Sequence, residues 1–135
     1  MVNIIIVTHG DFGAYIAEAA ENIAGQQSEG VKNISVSQKM SLEDVTQKVE
    51  KAAKEYYVQD GLIFLTDMPG GTPMNVSLPI AARMENTAVI CGLNLSMAVS
   101  AFANRKNLSF EELVEKIQAD GKRAICEVKK LLNKN

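Results

Sequence analysis

The chain has 135 residues, with 14 Lys and Arg against 16 Asp and Glu, a single His and a formal net charge of −2. With 47% hydrophobic and 22% charged residues, intrinsic disorder is excluded, and one domain spanning 1–135 with a core of its own is expected. There is no basic excess to release counterions, which excludes nucleic-acid binding driven by phosphate neutralisation.

Apolar runs and helical patterns alternate along the chain. Asn3 to Thr8 contains Ile4-Ile5-Ile6-Val7, a β-branched run without polar alternation, as expected of a strand covered on both faces. Phe12, Tyr15, Ile16, Ala19, Ala20 and Ile23 then follow helical spacing and predict one apolar stripe, with Phe12 and Tyr15 in the core and Gly25 placed to stop the helix. Val31 to Ser37 reads as a weaker strand. Ser41 can cap a second helix that turns Leu42, Val45, Val49, Ala52 and Tyr56 inward and its lysines and glutamates outward. Gly61 to Thr66 is a second fully apolar strand. The turn from Asp67 to Pro73 leads into a helix from about Met74 to Arg83, with Thr72 as N-cap and Pro73 at the first helical position. Thr87 to Cys91 is a short strand, and a helix near Ser96 to Asn104 comes next. Ser109 and Glu112 form a capping box for a helix carrying Phe110, Leu113, Val114 and Ile117.

Cys91 and Cys126 fall among apolar neighbours and make no C-x-x-C pair, so buried free thiols are expected. The segment Met1 to Val7 lacks the basic leader of a signal peptide, and no run approaches the roughly 20 apolar residues of a membrane span. A cytoplasmic, reducing location is the expectation. Met68 and Met97 fall in loop-like positions from which they would face a partner.

Strand–helix alternation of this kind predicts a three-layer α/β/α fold with a doubly wound, mostly parallel sheet in the order 2-1-3-4. The two strongest strands, first and third, take its centre, and chemistry gathers beyond their carboxyl ends. His9, the only histidine, directly follows the first strand, and Asp67 directly follows the third. A carboxylate that accepts from one imidazole N–H fixes the tautomer and stabilises positive charge on the ring when the other nitrogen attacks an electrophile. The turn Asp67-Met68-Pro69-Gly70-Gly71-Thr72-Pro73 opens a helix whose free N–H groups favour an anion such as phosphoryl. Gly10, opening the first helix, offers a second such end. No Gly-Lys-Thr/Ser follows, so this is no Walker A loop. Neither loop carries a basic side chain.

Thr8-His9-Gly10 and Asp67 to Pro73, followed by Met74-Asn75, resemble the IIA domain of the mannose/fructose/sorbose family of the sugar phosphotransferase system, over nearly the whole chain. The resemblance implies that His9 takes phosphoryl from the carrier protein HPr and passes it to a histidine of a IIB component, which serves a IIC/IID permease in the membrane. It also implies that Asp67 orients His9, that Nε2 carries the phosphate, and that Gly10, Gly70, Gly71 and Thr72 serve the phosphoryl oxygens. Met68 and Pro69 would tune the choice of IIB. No cofactor, metal or nucleic acid is implied. A homodimer is, with an antiparallel carboxyl-terminal strand exchanged between protomers. Gly121 would then end the preceding helix and leave Lys122 to Val128 as the strand, although Ile125, Val128, Leu131 and Leu132 keep helical spacing.

Other readings stay open at this point. A phosphocarrier subunit of a phosphotransferase-dependent dihydroxyacetone kinase has similar topology. A histidine-nucleophile phosphatase wants an Arg before the histidine, where Thr8 stands, and Arg83, Arg105 and Arg123 sit elsewhere. A tetrapyrrole chelatase lacks further ligands at suitable spacing. A flavodoxin-like module lacks a Trp to stack on a flavin.

Overall fold

In the computed structural model, which describes residues 1–133, the elements in chain order are β1 (Asn3–His9), α1 (Phe12–Ala24), β2 (Val31–Val36), α2 (Leu42–Tyr56), β3 (Leu62–Thr66), α3 (Thr72–Ala82), β4 (Thr87–Cys91), α4 (Leu95–Asn104), α5 (Phe110–Arg123) and α6 (Val128–Leu131). The four strands form one all-parallel sheet in the order β2-β1-β3-β4, the order the alternation predicts. Neighbouring residues of a strand point to opposite faces. Ile4, Ile6, Ile63 and Leu65 therefore meet α1, α4 and α5 on one side, while Ile5, Val7 and Phe64 meet α2 and α3 on the other. Covered on both faces, β1 and β3 have no room for polar alternation.

The helix boundaries follow local chemistry. Gly25, at φ 104°, takes the turn that ends α1 and donates its N–H to the Glu21 carbonyl. Ser41 and Ser109 each accept from the N–H three residues on, and Asp44 and Glu112 reach back to complete a capping box.

Several sequence expectations are corrected by packing. In α1 it is Gly13, Ala17 and Ala20 that are buried, whereas Phe12 is 46% and Tyr15 70% exposed. The helix lies so close to β1 that a Cβ on Gly13 would stand 2.6 Å from the Ile6 Cγ2. Small residues take such a contact; Phe12, Tyr15 and Ile23 turn outward, and of the bulky stripe only Ile16 packs against the core. Leu42, in the first turn of α2, is likewise exposed. Met97 is buried in α4, facing no partner.

Gly121 does not end a helix. It lies buried inside α5, where a Cβ would stand 2.5 Å from the Met97 Cγ, so glycine here permits close helix packing. Residues 122–128 are not a strand in this chain: α5 runs to Arg123, an irregular stretch follows, and α6 begins at Val128. A strand needs a neighbouring edge to satisfy its backbone, and residues 122–128 pair with no edge of their own chain's sheet. Cys91 is half-buried, but Cys126 falls in the irregular stretch and is exposed, contrary to the buried thiol expected.

Arg105, just past α4, closes the amino end of the sheet. It is buried, and donates from Nε to the Val2 carbonyl at 2.9 Å and from its terminal nitrogens to Gln27 and Asn3. The opposite, carboxyl end of the sheet is thereby left for other chemistry. No helix among the described residues is long and apolar enough to cross a membrane.

Candidate active site

β1 and β3 are adjacent and in register, with Val7 opposite Thr66. The residues that follow must therefore emerge side by side at the carboxyl edge. Asp67 Oδ2 accepts the backbone N–H of His9 at 2.9 Å and lies 2.8 Å from His9 Nδ1, across 58 positions of sequence. The carboxylate side chain is 12% exposed and the imidazole 51%.

Burial pushes the Asp67 carboxyl up, but the hydrogen bonds from the His9 backbone and ring outweigh it and hold the group below its ordinary value. An ionised carboxylate can only accept. Nδ1 therefore carries the proton in the neutral ring, and Nε2 holds the free electron pair. Asp67 Oδ1 is buried without a partner among the described residues, so His9 supplies most of the compensation for burying this charge.

The nucleophilic edge of the ring lies against glycine. A Cβ on Gly71 would stand 2.7 Å from His9 Cε1 and 3.3 Å from Nε2, so any other residue would crowd the attacking nitrogen. Gly70 takes φ 80°, which side-chain-bearing residues rarely adopt. Gly71, not Thr72, is the N-cap of α3; Thr72 and Pro73 begin the helix. No side chain caps this end, which leaves its first N–H groups for an anion beside His9.

Gly10 plays a different part from the one expected. Its N–H donates to the Val36 carbonyl at 2.8 Å, so that amide is not free for phosphate. Gly10 instead turns the chain after β1 at φ 54°. The buried Thr8, whose role sequence reasoning missed, locks that turn: its Oγ1 accepts from the Gly13 N–H at 2.8 Å and donates to the Gly10 carbonyl at 3.3 Å. The signal was a hydroxyl closing an otherwise apolar strand.

An open cavity of about 590 Å³ adjoins the imidazole, lined by His9, Gly10, Val36, Ser37, Met40 and Thr72 among others. Met68 stands exposed on the neighbouring turn. No arginine or lysine lines this cavity. Arg105 sits at the far end of the sheet, Arg83 follows the far end of α3, and Arg123 pairs with Asp120 on α5. The grip a histidine phosphatase needs is not here. No group of three or more His, Cys, Asp or Glu among the described residues could hold a metal ion. What remains is a histidine oriented for attack beside an uncharged anion seat, suited to holding a phosphoryl group briefly.

Known proteins similar to this chain share one family description. The family model described as "PTS system fructose IIA component" matches residues 3–118. The crystal structure of a phosphotransferase system component EIIA from Streptococcus agalactiae is similar with 33% identity and a TM-score of 0.82, over 96% of this chain and 99% of that one. The mannose-specific EIIAB component of Escherichia coli K12 is 30% identical over 129 residues, which are 95% of this chain but 40% of that protein. The fructose-specific EIIA component of Bacillus subtilis is 24% identical over 119 residues, covering 88% and 81%.

Proposed function

We propose, for a chain that belongs to the PTS fructose IIA component family, that His9 relays phosphoryl groups from HPr to a IIB component. The observation that carries this is the His9–Asp67 pair, 2.8 Å apart, with the second ring nitrogen turned to the open side of the Gly70-Gly71 turn. The His9 Nε2 electron pair attacks the phosphorus of phospho-HPr. The new N–P bond forms as the old one breaks, and the donor imidazole leaves with the bonding pair. Nδ1 keeps its proton throughout. The positive charge gained by the His9 ring is met by Asp67, and the charge on the transferring oxygens by N–H groups of the Gly70-Gly71-Thr72 turn and the Thr72 hydroxyl. The same steps in reverse hand the group to the IIB histidine. No cofactor enters.

The whole chain serves as one phosphocarrier domain in the cytoplasm, meeting the membrane only through a IIC/IID permease, and Met68 and Pro69 sit where they would touch the IIB partner. It works as a homodimer. Supporting this, β4 is an open sheet edge, and Ile125, Val128, Leu131 and Leu132 stand exposed beyond α5. Such a cluster of apolar side chains signals a missing partner.

The test is intact mass after incubation with phosphoenolpyruvate, enzyme I and HPr. One phosphoryl group, acid-labile and absent from His9→Ala, is the expected result. An unmodified wild type, or a His9→Ala chain that is still phosphorylated, overturns the reading.

A further inference from the structure

The Gly70-Gly71 turn that faces His9 is made of the two residues least able to hold one conformation, yet the anion seat requires its N–H groups to point one way. One side chain reaches it from the helix. Asn75, in the first turn of α3, donates from Nδ2 to the Gly70 carbonyl at 3.1 Å, and its own backbone N–H donates to the Gly71 carbonyl at 2.9 Å. Both carbonyls of the glycine pair are thus drawn toward Asn75.

These peptides are trans, and in a trans peptide the carbonyl and the following N–H point in opposite directions. Drawing the Gly70 carbonyl toward Asn75 turns the Gly71 N–H away from it, out of the open end of α3. The Gly71 carbonyl does the same for the Thr72 N–H. The second of these bonds is the ordinary first bond of a helix and survives replacement of Asn75 by alanine or aspartate. The first depends on the Asn75 amide alone, and without it the Gly70–Gly71 peptide is free to rotate and take its N–H out of the seat.

We infer that Asn75 is a positioning residue for phosphoryl transfer, acting through the Gly70–Gly71 peptide and not by touching the phosphate. This rests on the reading of His9 as a phosphoryl relay and adds to it a residue outside both loops. Asn75 is exposed, and alanine is a better helix former, so its replacement leaves the fold intact and exposes the effect on transfer.

The experiment measures the rate of phosphorylation by phospho-HPr, across HPr concentrations, for wild type, Asn75→Ala and Asn75→Asp, with thermal melting of each. Asn75→Asp keeps the shape but has no N–H to give Gly70. Both variants should melt no lower than wild type and reach half-maximal rate at an unchanged HPr concentration, while the maximal rate falls about tenfold, the scale of one lost orienting hydrogen bond. An unchanged maximal rate in Asn75→Ala overturns the inference, as does a shift confined to the half-maximal concentration, which would make Asn75 a docking contact. A wild type that accepts no phosphoryl group overturns the reading of His9 itself, a result distinct from either.

Discussion

At the site, an imidazole half open to solvent leans on a carboxylate almost closed off from it, and the inequality suits each to its task. In the proposed relay Asp67 must stay ionised and still, while His9 must meet large partners. An amide in place of the carboxylate can offer its NH₂ to Nδ1 and favour the tautomer that puts the proton on Nε2. Asp67→Asn should therefore slow phosphorylation on the order of a hundredfold or more with the fold retained, as rapid-quench kinetics with phospho-HPr would measure; an unchanged rate removes Asp67 from the mechanism. The same substitution has a consequence for stability. Because folding depresses the Asp67 pKa below its reference of 3.8, the stability it contributes is complete above that value and is lost as pH falls through the lower, folded value. Urea unfolding between pH 5 and pH 2 should show an acid loss shallower by about 1 kcal/mol in Asp67→Asn than in wild type.

Among the elements, α1 shows how close approach overrides an apolar stripe. Its buried face is glycine and alanine, because bulky side chains cannot enter the gap above β1. Gly13→Ala tests this directly. The added methyl would stand 2.6 Å from the Ile6 Cγ2 and 2.9 Å from Thr8, and Ile6 is fully buried with nowhere to retreat. Overpacking of about 1–3 kcal/mol should outweigh the roughly 1 kcal/mol that alanine gains in a helix. Denaturant unfolding should show a net loss, and because Thr8 anchors the turn after His9, phosphoryl acceptance should slow too. A stabilised Gly13→Ala would mean that the helix simply lifts away.

At the scale of the molecule, the two ends of the sheet are finished differently. Arg105 ties the amino end shut with three hydrogen bonds, while the carboxyl end keeps its loops open around His9. Among the described residues nothing covers the apolar side chains of Ile125, Val128, Leu131 and Leu132. If a second protomer covers them, Ile125→Asp should convert a dimer into a monomer in sedimentation velocity, since a buried unpaired charge costs several kcal/mol. A wild type that sediments as a monomer at all concentrations ends the proposal of a homodimer.

The strand order, the central place of β1 and β3, and the meeting of His9 with Asp67 were all legible in the residues. Short uninterrupted apolar runs bounded by turn residues fit strands covered on both faces, and the topology of alternating elements then fixes which loops are neighbours. The family resemblance pointed to the same turn after β3. What remained for the tertiary structure was everything that depends on distance: which face of α1 is buried, that Gly121 lies inside a helix against Met97, that the Gly10 amide is already taken by Val36, and that Thr8 and Asn75 hold the two turns on either side of the histidine. Periodicity records which residues share a side of a helix. It carries no information on how near the next layer comes or which polar group a turn will meet, and these are set only when the layers close.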